Sequence, residues 1–220
     1  MDDDGRLRRR ALQRARLYLV CGAAPGGRSL DEVLPAAIAG GVEIVQLREK
    51  GLEEAQLLEA AARARTLCAR AGVLFLVNDR PDIAVQVGAD GVHVGQDDVS
   101  AQQARTIVGD EMIVGLSTHS PAQIDAAVRS SAVDYIGVGP VHETPTKPGR
   151  PAVGVQLAAY AAKRAAIPFF AIGGLNSGNI AEVLQAGARR VCVVRAIADA
   201  SDPERAAAEI AQLLERPPID

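Results

Sequence analysis

The chain has 220 residues and a mass of 22.9 kDa, 48% of its residues are hydrophobic, and its formal net charge at pH 7 is −3. This length fits one large domain, and so small a net charge argues against a broad surface for nucleic acid or anionic lipid. Trp is absent, and Phe and Tyr number three each, which disfavours sites that stack bases or sugars on aromatic rings.

Cysteine usage and hydropathy favour a cytoplasmic protein. Cys21, Cys68 and Cys192 are far apart and form no CxxC pair, so the sequence indicates neither a disulfide framework nor a thiolate zinc site. We expect no membrane span, because no segment is long and apolar enough, and no signal peptide, because the charged start MDDDGRLRRRALQRAR lacks an apolar core. Residues 1–15 are expected to be a partly mobile extension that runs into a short helix, and residues 16–220 to form the catalytic domain.

Short apolar segments alternate with longer segments of helical period from residue 17 onward. The predicted strands are LYLV (17–20), VEIVQL (42–47), VLFLV (73–77), GVHV (91–94), MIVGL (112–116), DYIGV (134–138), PFFAI (168–172) and RVCVV (190–194). Between them, segments such as SLDEVLPAAIAG (29–40) and NSGNIAEVLQAG (176–187) repeat apolar residues at three- and four-residue spacing and end in Gly, as helices often do.

This alternation predicts the fold class. Nearly unbroken apolar strands, each followed by a helix, are typical of a parallel sheet covered by helices. Eight such units predict an α/β protein of the (β/α)8 TIM-barrel type in a single domain. An open doubly wound sheet is the alternative, but no G-x-G-x-x-G turn follows the first strand.

Active sites of such barrels lie in the loops after the strands, and polar residues follow the second predicted strand. Gln46, Arg48 and Lys50 alternate in QLREK, so an extended chain would point their side chains to one side. Two cations and an amide suit a polyanion such as a diphosphate. A solvated strand end is an equally good interpretation of Arg48 and Lys50 from spacing alone.

Carboxylates follow the third and fourth predicted strands. Asp79, in NDRP, and Asp98, in GQDD, would leave neighbouring strands at the same end of the barrel. Such a pair, with no His or Cys at ligand spacing, suits Mg²⁺, which binds through one or two carboxylates and substrate phosphates. Each could instead be a turn or helix-capping residue.

The later strand ends offer anion-binding groups. Ser117 follows strand 5, where it could donate to a phosphate or cap the helix that begins near Pro121. The segment GPVHETPTKPGRPAVG (139–154) has four prolines and no apolar run, and Thr144, Thr146 and Lys147 make it a candidate loop that closes over an anionic substrate. After strand 7, Gly173 and Gly174 are placed where barrels often bind phosphate on backbone N–H groups at the start of a helix.

The absent motifs restrict the chemistry further. There is no GxSxG elbow and no lysine within a predicted strand core, so neither a serine hydrolase nor a Schiff-base enzyme is indicated. His93 could point into the barrel or be a satisfied core histidine. His119 could line the pocket or cap a turn.

Several motifs together resemble one known family. YLV, QLREK, VND, DGVHVGQDD, GLSTHS, YIGVGPVHETPTKPG and AIGGLNSGNI occur in this order and at separations that closely resemble thiamine phosphate synthases, from about Tyr18 to the last helix. The resemblance implies a diphosphate-releasing transferase that joins a hydroxymethylpyrimidine diphosphate to a hydroxyethylthiazole phosphate. The products would be thiamine monophosphate and diphosphate, formed with Mg²⁺.

The resemblance also implies roles for particular residues. The pyrimidine diphosphate would be held by Gln46, Arg48, Lys50, Asn78, Ser117 and Lys147, of which Arg48, Ser117 and Lys147 are expected to act in catalysis. Asp79 and Asp98 would bind the Mg²⁺. The thiazole phosphate would be held by Thr144, Thr146 and Gly174. Arg195, which replaces a serine frequent in the family, could contact this phosphate directly or point outward while its backbone N–H binds the phosphate.

Two other functions compete with this one. A thiazole tautomerase of the same superfamily would need no diphosphate or Mg²⁺ site, and a barrel without catalytic activity could act as a sensor of thiamine precursors. Expected partners are the two small-molecule substrates, with no nucleic acid and no membrane, and a homo-oligomer is possible. The 140–152 loop is expected to be mobile in the free enzyme, because it offers little apolar burial.

Overall fold

The protein is a closed barrel of eight parallel strands, as seen in a computed structural model that describes residues 3–144 and 151–215. The strands pair in chain order and β1 closes the barrel against β8. Their bounds are β1 Leu17–Cys21, β2 Ile44–Leu47, β3 Leu74–Asn78, β4 Gly91–Val94, β5 Ile113–Thr118, β6 Tyr135–Val138, β7 Phe169–Ile172 and β8 Val191–Val193. The predicted fold class is therefore confirmed.

Helices follow every strand in the described part of the chain. They are α1 Asp3–Arg14, α2 Leu30–Ala39, α3 Glu54–Ala71, α4 Pro81–Gln86, α5 Ala101–Val108, α6 Pro121–Arg129, α7 Gly154–Arg164, α8 Ile180–Gln185, α9 Arg195–Ala198 and α10 Pro203–Glu215. Serines cap three of them, because the hydroxyls of Ser29, Ser100 and Ser120 accept from the backbone three residues later. No helix among the described residues is long and apolar enough to cross a bilayer.

Two apolar layers hold the barrel together. Outward-facing strand residues such as Leu19, Val45 and Val77 pack beneath the helices. The interior is filled by residues that alternate with them, including Tyr18, Tyr135 and Phe170, whose rings meet edge to face. This aromatic layer is the floor on which the polar end of the barrel rests.

The N-terminal helix α1 covers the opposite, N-terminal end of the strands. Leu12 is buried with the interior cluster, and Arg8 and Arg9 pair with Asp90 and Asp134, which directly precede β4 and β6. The short helix expected after the charged start is thus α1. The partial mobility expected of residues 1–15 stays a prediction.

Replacing Asp134 with alanine is expected to destabilise the fold by about 2–4 kcal/mol, because the mutation leaves partly buried donors without their acceptor. Its carboxylate accepts from Arg9 at 2.8 Å, from Arg105 at 2.5 Å and from the Val114 amide at 2.8 Å. Urea denaturation measures the change. Glu209→Ala, which breaks only the exposed pair with Arg205, is the control and should leave the midpoint unchanged; equal midpoints for both variants would contradict the prediction.

Candidate active site

A cavity of about 410 Å³ opens at the C-terminal ends of the strands. This is the end at which barrel enzymes carry their active sites, and the volume suits a small-molecule ligand. Seven of the predicted site residues line it: Gln46, Arg48, Asn78, Ser117, Thr144, Gly174 and Arg195. The structure therefore brings most of the residues selected from the sequence around one space.

The QLREK segment divides between the cavity and its rim. Gln46 lies within β2, is 3% exposed and lines the cavity, as does Arg48 one residue beyond the strand end. Lys50 is 58% exposed and its Nζ lies 3.5 Å from Asp79 Oδ2. The alternation predicted for these residues thus places two in the cavity and the third against a carboxylate at the rim.

Asn78 and Ser117 lie inside strands, not after them as predicted. Asn78 is the last residue of β3 and Ser117 the fifth of β5, and each is 8% exposed. Asn78 Nδ2 is buried with no hydrogen-bond acceptor among the described residues, which is costly unless a ligand supplies one. The alternative that Ser117 caps a helix is wrong, because Ser120 caps α6.

Asp79 and Asp98 come together at the rim. Asp79 has a left-handed backbone with φ of 61°, a conformation that Asp and Asn tolerate better than most residues. Burial first, and then the neighbouring Asp98 carboxylate, raise the pKa of Asp79 above its ordinary value, while Lys50 opposes the shift. Asp98 also accepts from the Gly95 amide at 3.0 Å. Two carboxylates held this close favour a cation between them.

No cluster of three or more His, Cys, Asp or Glu side chains suited to a metal occurs among the described residues. The carboxylate pair would therefore need oxygens from a ligand or water to complete a coordination shell. Mg²⁺ commonly binds in this way, through one or two carboxylates together with substrate phosphates and water.

Among the cavity residues, sequence reasoning missed Tyr18 and Tyr135 and left His93 undecided. All three line the cavity. His93 combines the two interpretations offered for it, since it is 9% exposed and hydrogen-bonded on both ring nitrogens, to Tyr135 at 2.8 Å and Ser117 at 2.9 Å. A tyrosine within an inward-facing strand pattern was the available signal, because a buried phenol normally has a hydrogen-bond partner.

The opposite wall of the cavity is backbone rich in glycine. Gly173 and Gly174 follow β7 with φ of 110° and 65°. A side chain at Gly173 would overlap Pro140, and one at Gly174 would overlap His142. The prediction that this pair starts a helix is wrong, because α8 begins only at Ile180. The helix that begins at the cavity is the short α9, whose first residue is Arg195.

The long loop after β6 is tied to this wall at its first described end, and its second described end is tied to the first. The Val141 and His142 amides donate to Ile172 at 2.8 Å and Gly173 at 3.0 Å, and the Val153 amide donates to Pro140 at 2.8 Å. His119, which lines the cavity, contacts the Gly139 carbonyl through Nδ1. Thr146 and Lys147 lie outside the described residues, as does the middle of the segment predicted to be mobile.

Comparison with known proteins agrees with the geometry of this site. The sequence profile described as thiamine monophosphate synthase matches residues 17–197. The chain belongs to this family. The match begins at β1 and includes every strand, in agreement with the extent of the resemblance seen in the motifs.

Individual members of the thiamine monophosphate synthase family are similar over nearly the whole chain. The thiamine-phosphate synthase of Acidothermus cellulolyticus is 54% identical, with 93% of this chain and 97% of that protein covered. That of Thermobifida fusca is 50% identical, with 94% and 95% covered. The thiamine phosphate pyrophosphorylase structure from Pyrococcus furiosus superposes with a TM-score of 0.84 at 29% identity, with 94% and 97% of the two chains covered.

Proposed function

We propose that the cavity is the site at which this chain joins hydroxymethylpyrimidine diphosphate to hydroxyethylthiazole phosphate, releasing thiamine monophosphate and diphosphate. The family assignment supports this condensation in thiamine biosynthesis. The single observation that carries the assignment to this cavity is its composition, with cationic and amide donors on one wall, glycine-rich backbone on the other and a carboxylate pair at the rim.

The pyrimidine diphosphate is proposed to lie on the wall formed by β2, β3 and β5. Arg48 supplies a fixed charge there, and the unsatisfied Nδ2 of Asn78 supplies a buried donor. Gln46 and Ser117 complete the wall at its floor. Lys50 at the rim and Lys147, from the segment outside the described residues, are proposed to bind the same diphosphate.

Mg²⁺ is proposed to bind at Asp79 and Asp98, and the chemistry of this pair fits it. Both ligands are hard oxygen donors, their mutual repulsion is relieved by a cation, and a diphosphate can supply further oxygens. When bound, the ion would neutralise negative charge on the departing diphosphate. Lys50, beside Asp79 at 3.5 Å, can then turn from the carboxylate toward a diphosphate oxygen.

The thiazole phosphate is proposed to lie against the opposite wall. The open backbone at Gly174 and the start of α9 supply N–H groups, and Thr144 supplies a hydroxyl. Thr146 is proposed to act beside Thr144. Arg195 lines the cavity and is proposed to add a charge-assisted contact that a serine could not make.

The reaction is proposed to begin with loss of the diphosphate. The bond between the pyrimidine methylene carbon and the diphosphate oxygen breaks, and its electron pair leaves with the oxygen. The thiazole nitrogen then donates its lone pair to the methylene cation to form the new carbon–nitrogen bond. Arg48, Ser117 and Lys147 favour this step by stabilising the negative charge that develops on the diphosphate. Because the site offers hydrogen-bond donors and cations, this electrostatic stabilisation is proposed to supply most of the catalysis.

The alternatives weighed from the sequence have no support in the comparisons. A tautomerase would have no use for the paired carboxylates and the adjacent lysine, and the relatives named above carry the synthase name. We also propose a cytoplasmic location, in keeping with Cys21, Cys68 and Cys192, which are buried and not joined in disulfides. Homo-oligomerisation remains a prediction.

The purified chain is expected to form thiamine monophosphate and diphosphate from the two substrates when Mg²⁺ is present, and to lose this activity on addition of EDTA. An end-point assay for both products measures this, with restoration by excess Mg²⁺ as the control. Absence of both products, in a preparation shown by calorimetry to bind both substrates, would contradict the synthase function and favour a sensor.

A further inference from the structure

A continuous chain of buried polar side chains crosses the floor of the cavity. Gln46 Nε2 contacts the Tyr18 hydroxyl, which lies 2.9 Å from the Tyr135 hydroxyl. Tyr135 lies 2.8 Å from His93 Nδ1, and His93 Nε2 lies 2.9 Å from Ser117 Oγ. Its two ends, Gln46 and Ser117, stand on strands β2 and β5 and both line the cavity.

The donor at one end favours one direction for the hydrogen bonds in this chain. An amide nitrogen can only donate, so the Tyr18 oxygen accepts from Gln46. The Tyr135 oxygen, 2.9 Å away, is an acceptor within reach of the Tyr18 hydrogen. When Tyr18 donates to it, the remaining bonds follow in order. Tyr135 in turn donates to His93 Nδ1. Because Nδ1 then accepts, the ring proton is on Nε2, which donates to Ser117.

The number of protons agrees with this direction. Burial raises the pKa of both phenols above the ordinary value, so Tyr18 and Tyr135 each keep one hydrogen and donate once. In an imidazolium, His93 Nδ1 carries a hydrogen and donates to Tyr135. The phenolic hydrogen of Tyr135 then loses Nδ1 as its acceptor. The arrangement therefore requires a neutral ring.

We infer that Tyr18, Tyr135 and His93 are positioning residues that fix the polarity of the cavity floor, so that Ser117 presents its hydroxyl hydrogen and Gln46 its Oε1 to the substrate. This inference rests on the proposed function, in which an anion lies beside Ser117. A hydroxyl that accepts from His93 keeps its hydrogen for that anion. With the opposite polarity, Ser117 would donate to His93 and turn its lone pairs toward a negative charge.

The state of His93 tests the inference without any substrate. The chain has three histidines, so nitrogen-15 NMR of histidine-labelled protein resolves few rings, and His93→Gln identifies the signals of His93. We expect the neutral Nε2–H tautomer in the wild type. In Tyr135→Phe, which keeps the ring but removes the donor to Nδ1, we expect the Nδ1–H tautomer to become populated.

Two results would overturn the inference. One is a wild-type His93 in the Nδ1–H or imidazolium form, and the other is a tautomer that Tyr135→Phe leaves unchanged. The matched control is Tyr160→Phe. Tyr160 lies on α7, away from the cavity, and the mutation removes the hydroxyl that donates to Asp125 on α6. Tyr18→Phe interrupts the same series of hydrogen bonds one bond earlier, and it replaces Tyr135→Phe in this test if that variant does not fold.

A double-mutant cycle on kcat/KM connects the network to turnover. Ser117→Ala is expected to lower kcat/KM by about 10- to 100-fold and Tyr135→Phe by about 10-fold, as for hydrogen bonds to a charged group. Tyr135→Phe should add little in the Ser117→Ala background, because it acts through Ser117. Full additivity would overturn the positioning role. Wild-type protein that shows the Nε2–H tautomer but forms no product would instead contradict the proposed function alone.

Discussion

Asp79→Asn is expected to lower thiamine monophosphate formation by at least about 100-fold, because a weak neutral ligand replaces one of the two carboxylates proposed for Mg²⁺. Asparagine is the suitable substitution here, since it tolerates the left-handed backbone at φ of 61°. Folding should therefore be preserved. Product formation at saturating substrate, measured across a Mg²⁺ titration, should show a lower rate and a higher Mg²⁺ requirement.

Asp82→Asn provides the matched control for this prediction. Asp82 lies three residues further along the chain, in the first turn of α4, and pairs with Arg80 at the surface. Its removal should leave the Mg²⁺ requirement as in the wild type. The metal assignment would be wrong if Asp79→Asn and Asp82→Asn retained equal activity with the same dependence on Mg²⁺.

Gly115→Ala is expected to destabilise the protein by about 2–3 kcal/mol and to lower kcat/KM by more than about 10-fold, because it displaces Tyr135. A Cβ at Gly115 would overlap the Tyr135 ring and hydroxyl. That ring is fully buried and packed edge to face against Tyr18 and Phe170, so it has little room to move. Moving it also breaks the hydrogen bond to His93.

Urea denaturation and steady-state kinetics together test the Gly115 prediction. Gly51→Ala is the stability control, since a Cβ at Gly51 meets nothing within 4 Å, and its midpoint should match the wild type. A Gly115→Ala protein with wild-type stability would show that the interior repacks without cost. Reduced stability with unchanged kcat/KM would separate the packing of Tyr135 from its proposed positioning role.

Local pattern was sufficient to predict the barrel, because its strands and helices are each specified by nearby residues. Apolar runs at 17–20 and 73–77 became β1 and β3 with bounds that differ by one residue. Closure of the sheet into a barrel was predicted from the eight strand–helix units and from strands that are apolar on both faces, as in a parallel sheet covered by helices. The ends of strands were harder, since β3 and β5 continue through polar residues that point into the cavity.

The candidate site depended more on motif resemblance than on residue chemistry. A polar residue at a strand end could equally be solvent-exposed or cap a helix. Only the set of motifs taken together indicated that these residues bind two anionic substrates. The helix start expected at Gly173 and Gly174 failed because the turn continues through Asn176 and Asn179, whose side chains bond within it. A glycine pair alone does not distinguish a turn from a helix start.

The sequence by itself determined the eight-fold alternation, the family, and the types of residue that reach the active end of the barrel, because periodicity and motif order are properties of the chain. Only the tertiary structure decided which polar groups meet. Tyr18, Gln46, His93, Ser117 and Tyr135 are separated by up to 117 residues along the chain, and no local pattern specifies their contact. Barrel closure brings five different strands to one floor, where burial obliges each polar atom to find a partner. That requirement gives the cavity its polarity.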